Sequence, residues 1–464
     1  MKIKLNNTKY INILLVFWIA CLFSVNSSTT NNDSDTVNFY YFFNLLRAYC
    51  PIIIFFILLT TFIAKPKKKI NLFLVFYFVY AFWQIIALLI YSKEYPLDLS
   101  RTHIVLSLLT TILIIYYINY FNQINLNKLL FVSIVFIILI CVFFYSRIFY
   151  DLMTNISVDY IYWSPSIIAE ASSLSQTNPR ITGLSRMMVL ILFFLFYFFL
   201  IKKKYFLLIP IIIINFFIYG GQSRGSFIGV VLLYLNYIFF FKEKKISKFL
   251  IIVTTLVLPI IFYETTLKIK NYLNNNTEIK NYLNNNTEIK NYLNNNTEIN
   301  IYLNNKNRFL YDPSKDADAL STGRLTIWSR TLKIIEQDRN FIGAGPQADR
   351  ILLKKDKLNI NPQERHFWDN NVSNGILYSF LSGGIISFVL FTLIYFLIFF
   401  EIYKSIFIKK IYHKNNPYIN FSIMTLVFLS FRSFFENSYA VFGIDSLFVC
   451  IAYSILYRFN NSKN

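Results

Sequence analysis

The sequence predicts an all-α, polytopic helical membrane protein of about twelve transmembrane helices, with one large non-cytoplasmic loop and both termini in the cytoplasm. Three observations carry that expectation. Of 464 residues, 56% are hydrophobic and 19% aromatic, while charged residues make up 15%, against roughly 25% in soluble domains. Apolar runs long enough to cross a hydrocarbon core as a helix, about 20 residues, recur along the chain and are continuous rather than alternating, which favours helices over a barrel. Clusters of lysine alternate with polar stretches that lack them, as positive-inside sorting requires.

The first span, 10–25, starts beside Lys2 and Lys4 and opens into a polar loop, 26–38, without Lys or Arg. The second, 39–64, returns to Lys65-Pro66-Lys67-Lys68-Lys69. Spans at 71–91, 103–121 and 129–146 lead out to a loop at 147–181, and the span that follows ends at Lys202-Lys203-Lys204. Spans at 205–219 and 227–241 form a hairpin with its outer tip at Gly220-Gly221-Gln222-Ser223-Arg224-Gly225-Ser226, closing at Lys242-Glu243-Lys244-Lys245. A span at 249–263 precedes the large outer segment, and spans at 376–400, 418–435 and 440–457 complete the chain. The organisation is thus an N-terminal bundle (1–263), an outer loop (264–375) and a C-terminal group of helices (376–464).

The net charge of +21 reflects these orienting lysine clusters, so nucleic acid is not an expected partner. Cys21, Cys50, Cys141 and Cys450 fall in apolar spans without ligand spacing, which argues against a zinc site or disulfide framework. In the outer loop, the decapeptide Asn-Tyr-Leu-Asn-Asn-Asn-Thr-Glu-Ile-Lys starts at Asn271, Asn281 and Asn291, the last copy ending in Asn300. Its polar composition buries too little surface to offset its ordering entropy, so 271–300 reads as a low-complexity insertion, with carbohydrate binding as the alternative.

The arginines are distributed differently from the lysines. Arg47, Arg101, Arg147, Arg180, Arg186, Arg224, Arg308, Arg324, Arg330, Arg339, Arg350, Arg365 and Arg432 fall in outer loops or outer ends of spans, whereas Arg458 is cytoplasmic. Guanidinium grips phosphate or carboxylate bidentately, so this partition points to an anionic ligand at the outer face, with interfacial snorkelling as the alternative. Arg224 sits at a hairpin tip opening a helix, whose free N–H groups attract anions. Arg324 opens a stretch to Ile335 with apolar residues at helical spacing, for which Ser321 or Thr322 is the expected N-cap.

Several local patterns together resemble the superfamily of O-antigen polymerases and O-antigen ligases. Pro179-Arg180-Ile181-Thr182-Gly183-Leu184-Ser185-Arg186 is similar to a stretch of polymerase members, and Gln222-Ser223-Arg224-Gly225-Ser226 to a helix-end motif of both branches. Gly323-Arg324-Leu325-Thr326-Ile327-Trp328 with Phe341-Ile342-Gly343-Ala344-Gly345 resembles part of the family's outer loop. Ser373-Asn374-Gly375, Gly383-Gly384, Phe431-Arg432-Ser433-Phe434-Phe435-Glu436 and Gly443-Ile444-Asp445 resemble the ending of polymerase members. Ligases carry His-Asn where Ser373-Asn374 stands, and His366 lies N-terminal to that point, which tilts the resemblance toward polymerases.

The resemblance implies an inverting, metal-independent glycosyltransferase of the bacterial inner membrane without cofactors, acting at the periplasmic or exterior face. Its expected activity joins undecaprenyl-pyrophosphate-linked repeat units of O-antigen or capsule, with a separate chain-length regulator as a partner. Arg224 and Arg324, with Arg180, Arg186 and Arg432, are the candidates for holding the pyrophosphate. Acid–base candidates are His366, Asp369, Glu436 and Glu170, and Trp368 is a candidate for stacking on a sugar. The alternatives are ligation of glycan to lipid A core and flipping or export of the lipid-linked glycan. Transport calls for charged residues deep in several spans and symmetry between halves, which this sequence lacks.

Overall fold

The computed structural model describes residues 51–60, 71–91, 99–121, 126–154, 181–220, 224–241, 245–262, 264–265, 324–338, 342–357, 372–409, 416–441 and 443–461. Among these residues the long elements are helices: α1 (Pro51–Thr60), α2 (Leu72–Ile90), α3 (Leu99–Phe121), α4 (Leu126–Thr154), α5 (Ile181–Lys202), α6 (Leu208–Gly220) and α7 (Arg224–Phe240). There follow α8 (Lys245–Phe262), α9 (Arg324–Asp338), α10 (Ala348–Lys357), α11 (Gly375–Tyr403), α12 (Pro417–Arg432) and α13 (Ile444–Asn461). Helix α2, most of α5, α8, and α11 with its π-helical extension to Ile408 are long and apolar enough to cross a membrane. Large apolar side chains such as Phe56, Phe82, Leu139, Phe249 and Phe396 face outward, as expected of surface solvated by lipid. The chain is a helical membrane protein.

Packing groups the described helices into two units that do not follow chain order. Helices α1 to α3 and the first part of α4 pack with α9 to α13, while the rest of α4 goes with α5 to α8. In the first unit, α2 lies against α11 and α3, and α13 against α12 and α3. Small polar residues, among them Ser107, Thr110, Thr111, Ser422 and Thr425, are buried between these helices, where they permit close approach. Several return their hydroxyl to their own helix, as Thr111 Oγ1 does to the Ser107 carbonyl at 2.9 Å. Tyr77 donates to the carbonyl of Tyr439, and Tyr80 to that of Ala440 at 2.8 Å, tying α2 to the 3₁₀ turn Ser438–Ala440. In the second unit, α5 packs on α6 and α7, and Asn215 Nδ2 donates at 2.7 Å to the Thr255 carbonyl in the π turn Val253–Val257 of α8.

Helix α11 is broken. Gly383 and Gly384 leave helical geometry, about 12 Å along the axis from Gly375 at 1.5 Å per residue. The break frees carbonyls among buried residues, where an unpaired one is costly. The segment 343–347 supplies the donors: Ala344 N–H reaches the Leu381 carbonyl at 2.9 Å, and Gly345 N–H the Ser382 carbonyl at 2.8 Å. Trp83 Nε1 donates to the Gly383 carbonyl at 2.8 Å. Buried Arg101 holds the other side of this segment, donating from Nε to the Pro346 carbonyl at 2.7 Å and from Nη2 to that of Ala344.

The structure departs from the sequence expectation in several places. The span expected at 418–435 ends as a helix at Arg432, because Phe434 and Phe435 bond three residues back to Phe431 and Arg432, and the next helix starts at Ile444 instead of 440. The stretch 264–375 contains α10 as well as the anticipated helix from Arg324. The span at 10–25, residues 39–50 and 61–64 of the span at 39–64, the lysine cluster at 65–69, Ser321, Thr322 and the decapeptide tract lie outside the described residues.

Gly343 has φ of +85°, and a Cβ there would run into the backbone of Gly383 and Gly384, whereas a Cβ on Gly225 would meet nothing within 4 Å. Gly343→Ala should therefore destabilise the protein by about 1–3 kcal/mol from backbone strain alone, with the clash adding to it. Gly225→Ala should move the unfolding midpoint by the equivalent of no more than about 1 kcal/mol. Thermal unfolding of the purified protein in detergent compares the two, and equal midpoints would contradict the interlock.

Candidate functional site

At one end of the first unit, α9, α10, the start of α11 and the turn after α12 converge. Asn374 caps α11: its Oδ1 accepts from Ile376 N–H at 2.9 Å and Leu377 N–H at 3.0 Å. Its Nδ2 donates to the Phe434 carbonyl at 3.0 Å, and Gly375 N–H to that of Ser433 at 2.8 Å. A Cβ on Gly375 would displace the Ser433 hydroxyl and press on the Ser433 carbonyl and Phe391, so the close approach suits glycine. The first turn of α11 is thus joined to the turn that leaves α12.

A buried carboxylate links the remaining pieces. Asp349, in the first turn of α10, is 2% exposed. It accepts from Val372 N–H and from Asn437 Nδ2, each at 3.3 Å. Burial pushes this carboxyl above its ordinary value, opposed by these bonds and by neighbouring Arg350. Asn437 Oδ1 in turn accepts from Asn374 N–H at 3.1 Å. Trp328 on α9 donates from Nε1 to the Val372 carbonyl at 3.0 Å, with its ring 6.3 Å from that of Phe435.

The ion pairs at this end differ in burial. Arg324, the first residue of α9, meets Glu436 at 3.1 Å, with the side chains 27% and 35% exposed. Arg432 meets Asp445 at 2.6 Å, with the side chains 11% and 2% exposed, and Ser438 Oγ donates to the same carboxylate oxygen at 3.0 Å. A partly exposed pair contributes at most about 1 kcal/mol and can be opened by a better anion. The buried pair instead joins the end of α12 to the start of α13, where the helix dipole also favours a carboxylate.

Arg324, Glu436 and Arg432 therefore share one end of the first unit, with Arg432 committed to Asp445. Arg224 begins α7 and half-buried Arg186 lies on α5, both in the second unit. Arg180, Glu170, His366, Trp368 and Asp369 lie outside the described residues. Sequence reasoning overlooked Asp349 and Asn437 and did not identify Asn374 as a cap. The signals available were an asparagine directly before an apolar run and an acidic residue just after the Pro346-Gln347 turn.

Residues 209–392 match the family model described as O-antigen ligase. Over this stretch the chain is similar to that family. The match covers less than half of the chain, running from α6 into α11. It includes Arg224, Arg324, the Gly343–Gly345 segment, Asp349 and Asn374, and stops short of Arg432, Glu436 and Asp445. A comparison with curated proteins finds no match.

Arg432→Met strands Asp445 in the interior and should cost about 3–5 kcal/mol, lowering the yield of folded protein extracted from membranes. Arg324→Met should cost no more than about 1 kcal/mol. Similar losses of folded protein in both variants would mean that burial does not separate the two roles.

Proposed function

We propose that the protein is a polysaccharide polymerase of the bacterial inner membrane, joining undecaprenyl-pyrophosphate-linked repeat units of O-antigen or capsule by inverting glycosyl transfer at the outer face. The observation that carries the reading is the partly exposed Arg324–Glu436 pair, set on a framework of buried caps and clamps. The similarity to the O-antigen ligase family over 209–392 supports a lipid-linked glycan as substrate.

Arg324 grips the pyrophosphate, whose several oxygens offer the guanidinium more acceptors than one carboxylate does. Inverting displacement places the acceptor oxygen and the leaving phosphate on opposite faces of the anomeric carbon. Glu436 therefore cannot act as base while it still holds the arginine that grips the leaving group, and donor arrival opens the pair. The released carboxylate takes the proton of the acceptor hydroxyl as the new glycosidic bond forms, the bond from carbon to phosphate oxygen breaks, and undecaprenyl pyrophosphate departs. Arg224 and Arg186 are further candidates for the pyrophosphate, and His366 and Asp369 remain candidates for the base. The family description favours a second reading, ligation of glycan to lipid A core, in which the same grip serves a different acceptor.

Gel profiling of cell-surface glycan in a strain lacking the gene decides between these readings. Polymerase function predicts collapse of the ladder to a single repeat unit, restored by wild type and not by Arg324→Ala, which should slow transfer about 10²–10³-fold. Glu436→Gln should impair restoration as well. Glycan lost from the core while long polymer persists on the lipid carrier would establish ligation, and an unchanged ladder would exclude both activities.

A further inference from the structure

We propose that Asp349 is a positioning residue that sets both halves of the Arg324–Glu436 pair from one buried carboxylate; this inference rests on the reading of that pair as the anion grip. One arm runs through Val372. Asp349 accepts its N–H at 3.3 Å, while the Val372 carbonyl accepts from Trp328 Nε1 at 3.0 Å. Trp328 stands one helical turn after Arg324 on α9, so the two side chains share a face, and fixing the indole fixes the helix end that presents the guanidinium. The other arm runs through Asn437, the neighbour of Glu436. Asp349 accepts from its Nδ2 at 3.3 Å, and its Oδ1 accepts from Asn374 N–H at 3.1 Å.

The groups around Asp349 favour its ionised form, against the burial that raises its pKa. An ionised Asp accepts only, so it dictates which end of the Asn437 amide points toward it and leaves the oxygen for Asn374. Its neighbours Val372 N–H, Arg350 N–H and Asn437 Nδ2 are all donors. Val372 N–H and Asn437 Nδ2 both donate to Oδ2, so an asparagine at 349 keeps these two bonds only by turning its NH₂ toward the Arg350 N–H, which sets donor against donor and weakens the network. At 2% exposure Asp349 does not touch substrate, and its effect passes through the segments it holds.

Hydrogen exchange of purified full-length protein in detergent provides the primary test. Asp349→Asn should raise amide exchange in residues 433–441 and 372–375 while leaving α5 to α7 unchanged, with Asn437→Leu giving the same pattern. Unchanged exchange in both segments, or a rise spread over the whole protein, would overturn the positioning role. A second measurement uses inorganic pyrophosphate, read as a thermal shift. Asp349→Asn should weaken its apparent affinity about tenfold, equivalent to about 1.4 kcal/mol, and Arg324→Ala should abolish it. If wild type gives no shift while the local exchange change is present, the anion-grip reading fails and the brace stands. If wild type binds pyrophosphate and Asp349→Asn binds it equally well, the brace does not position the grip.

Discussion

A polar backbone group in hydrocarbon has no water to fall back on, and leaving one unpaired costs several kcal/mol. That constraint organises the first unit. Gly383 and Gly384 interrupt α11 and leave carbonyls that only another piece of chain can satisfy, and Ala344 and Gly345 provide the N–H groups. Once they are seated, the following turn and the start of α10 are fixed, and Gln347 N–H reaches Tyr378 Oη on α11 at 3.1 Å. Asp349 then falls within reach of Val372 and Asn437. The position of the exposed ion pair is in this sense a distant result of a break in a helix.

Burial separates the arginines into different tasks. Arg101 is consumed by main-chain carbonyls of the seated segment, and Arg432 by Asp445. Among the described residues Arg324 pairs with a partly exposed carboxylate, an arrangement easily exchanged for a multivalent anion. Counting guanidinium groups on one side of a membrane protein therefore overstates how many remain for a ligand, because several are needed to satisfy the scaffold.

The helices were legible because long apolar runs allow little else in lipid: α2, α6 and α7 lie within a few residues of the spans drawn from composition alone. The helix opening at Arg324 was legible from apolar residues at helical spacing between it and Ile335. What escaped was non-local. Nothing in Gly343-Ala344-Gly345 announces that its partners are the carbonyls of Leu381 and Ser382 beside the helix break, since the bonds joining them are main-chain to main-chain and carry no residue code. Asp349 escaped for a related reason: its importance comes from three segments distant in sequence meeting around it, while locally it looks like an ordinary acidic residue in a first helical turn. Glu436 and Arg324 were each identifiable, but their pairing across a separation of 112 positions was not.

The main-chain character of the Gly343–Gly345 seat also bears on how this region can evolve. An anchor that reads backbone rather than side chains holds its register however many residues precede it, because a loop's closure entropy grows only slowly with its length. Tandem copies in the tract at 271–300 can then be gained or lost by replication slippage without dislodging the machinery downstream. Lineages carrying this chain are expected to differ in repeat number while keeping the distance from Gly345 to Gly384 constant.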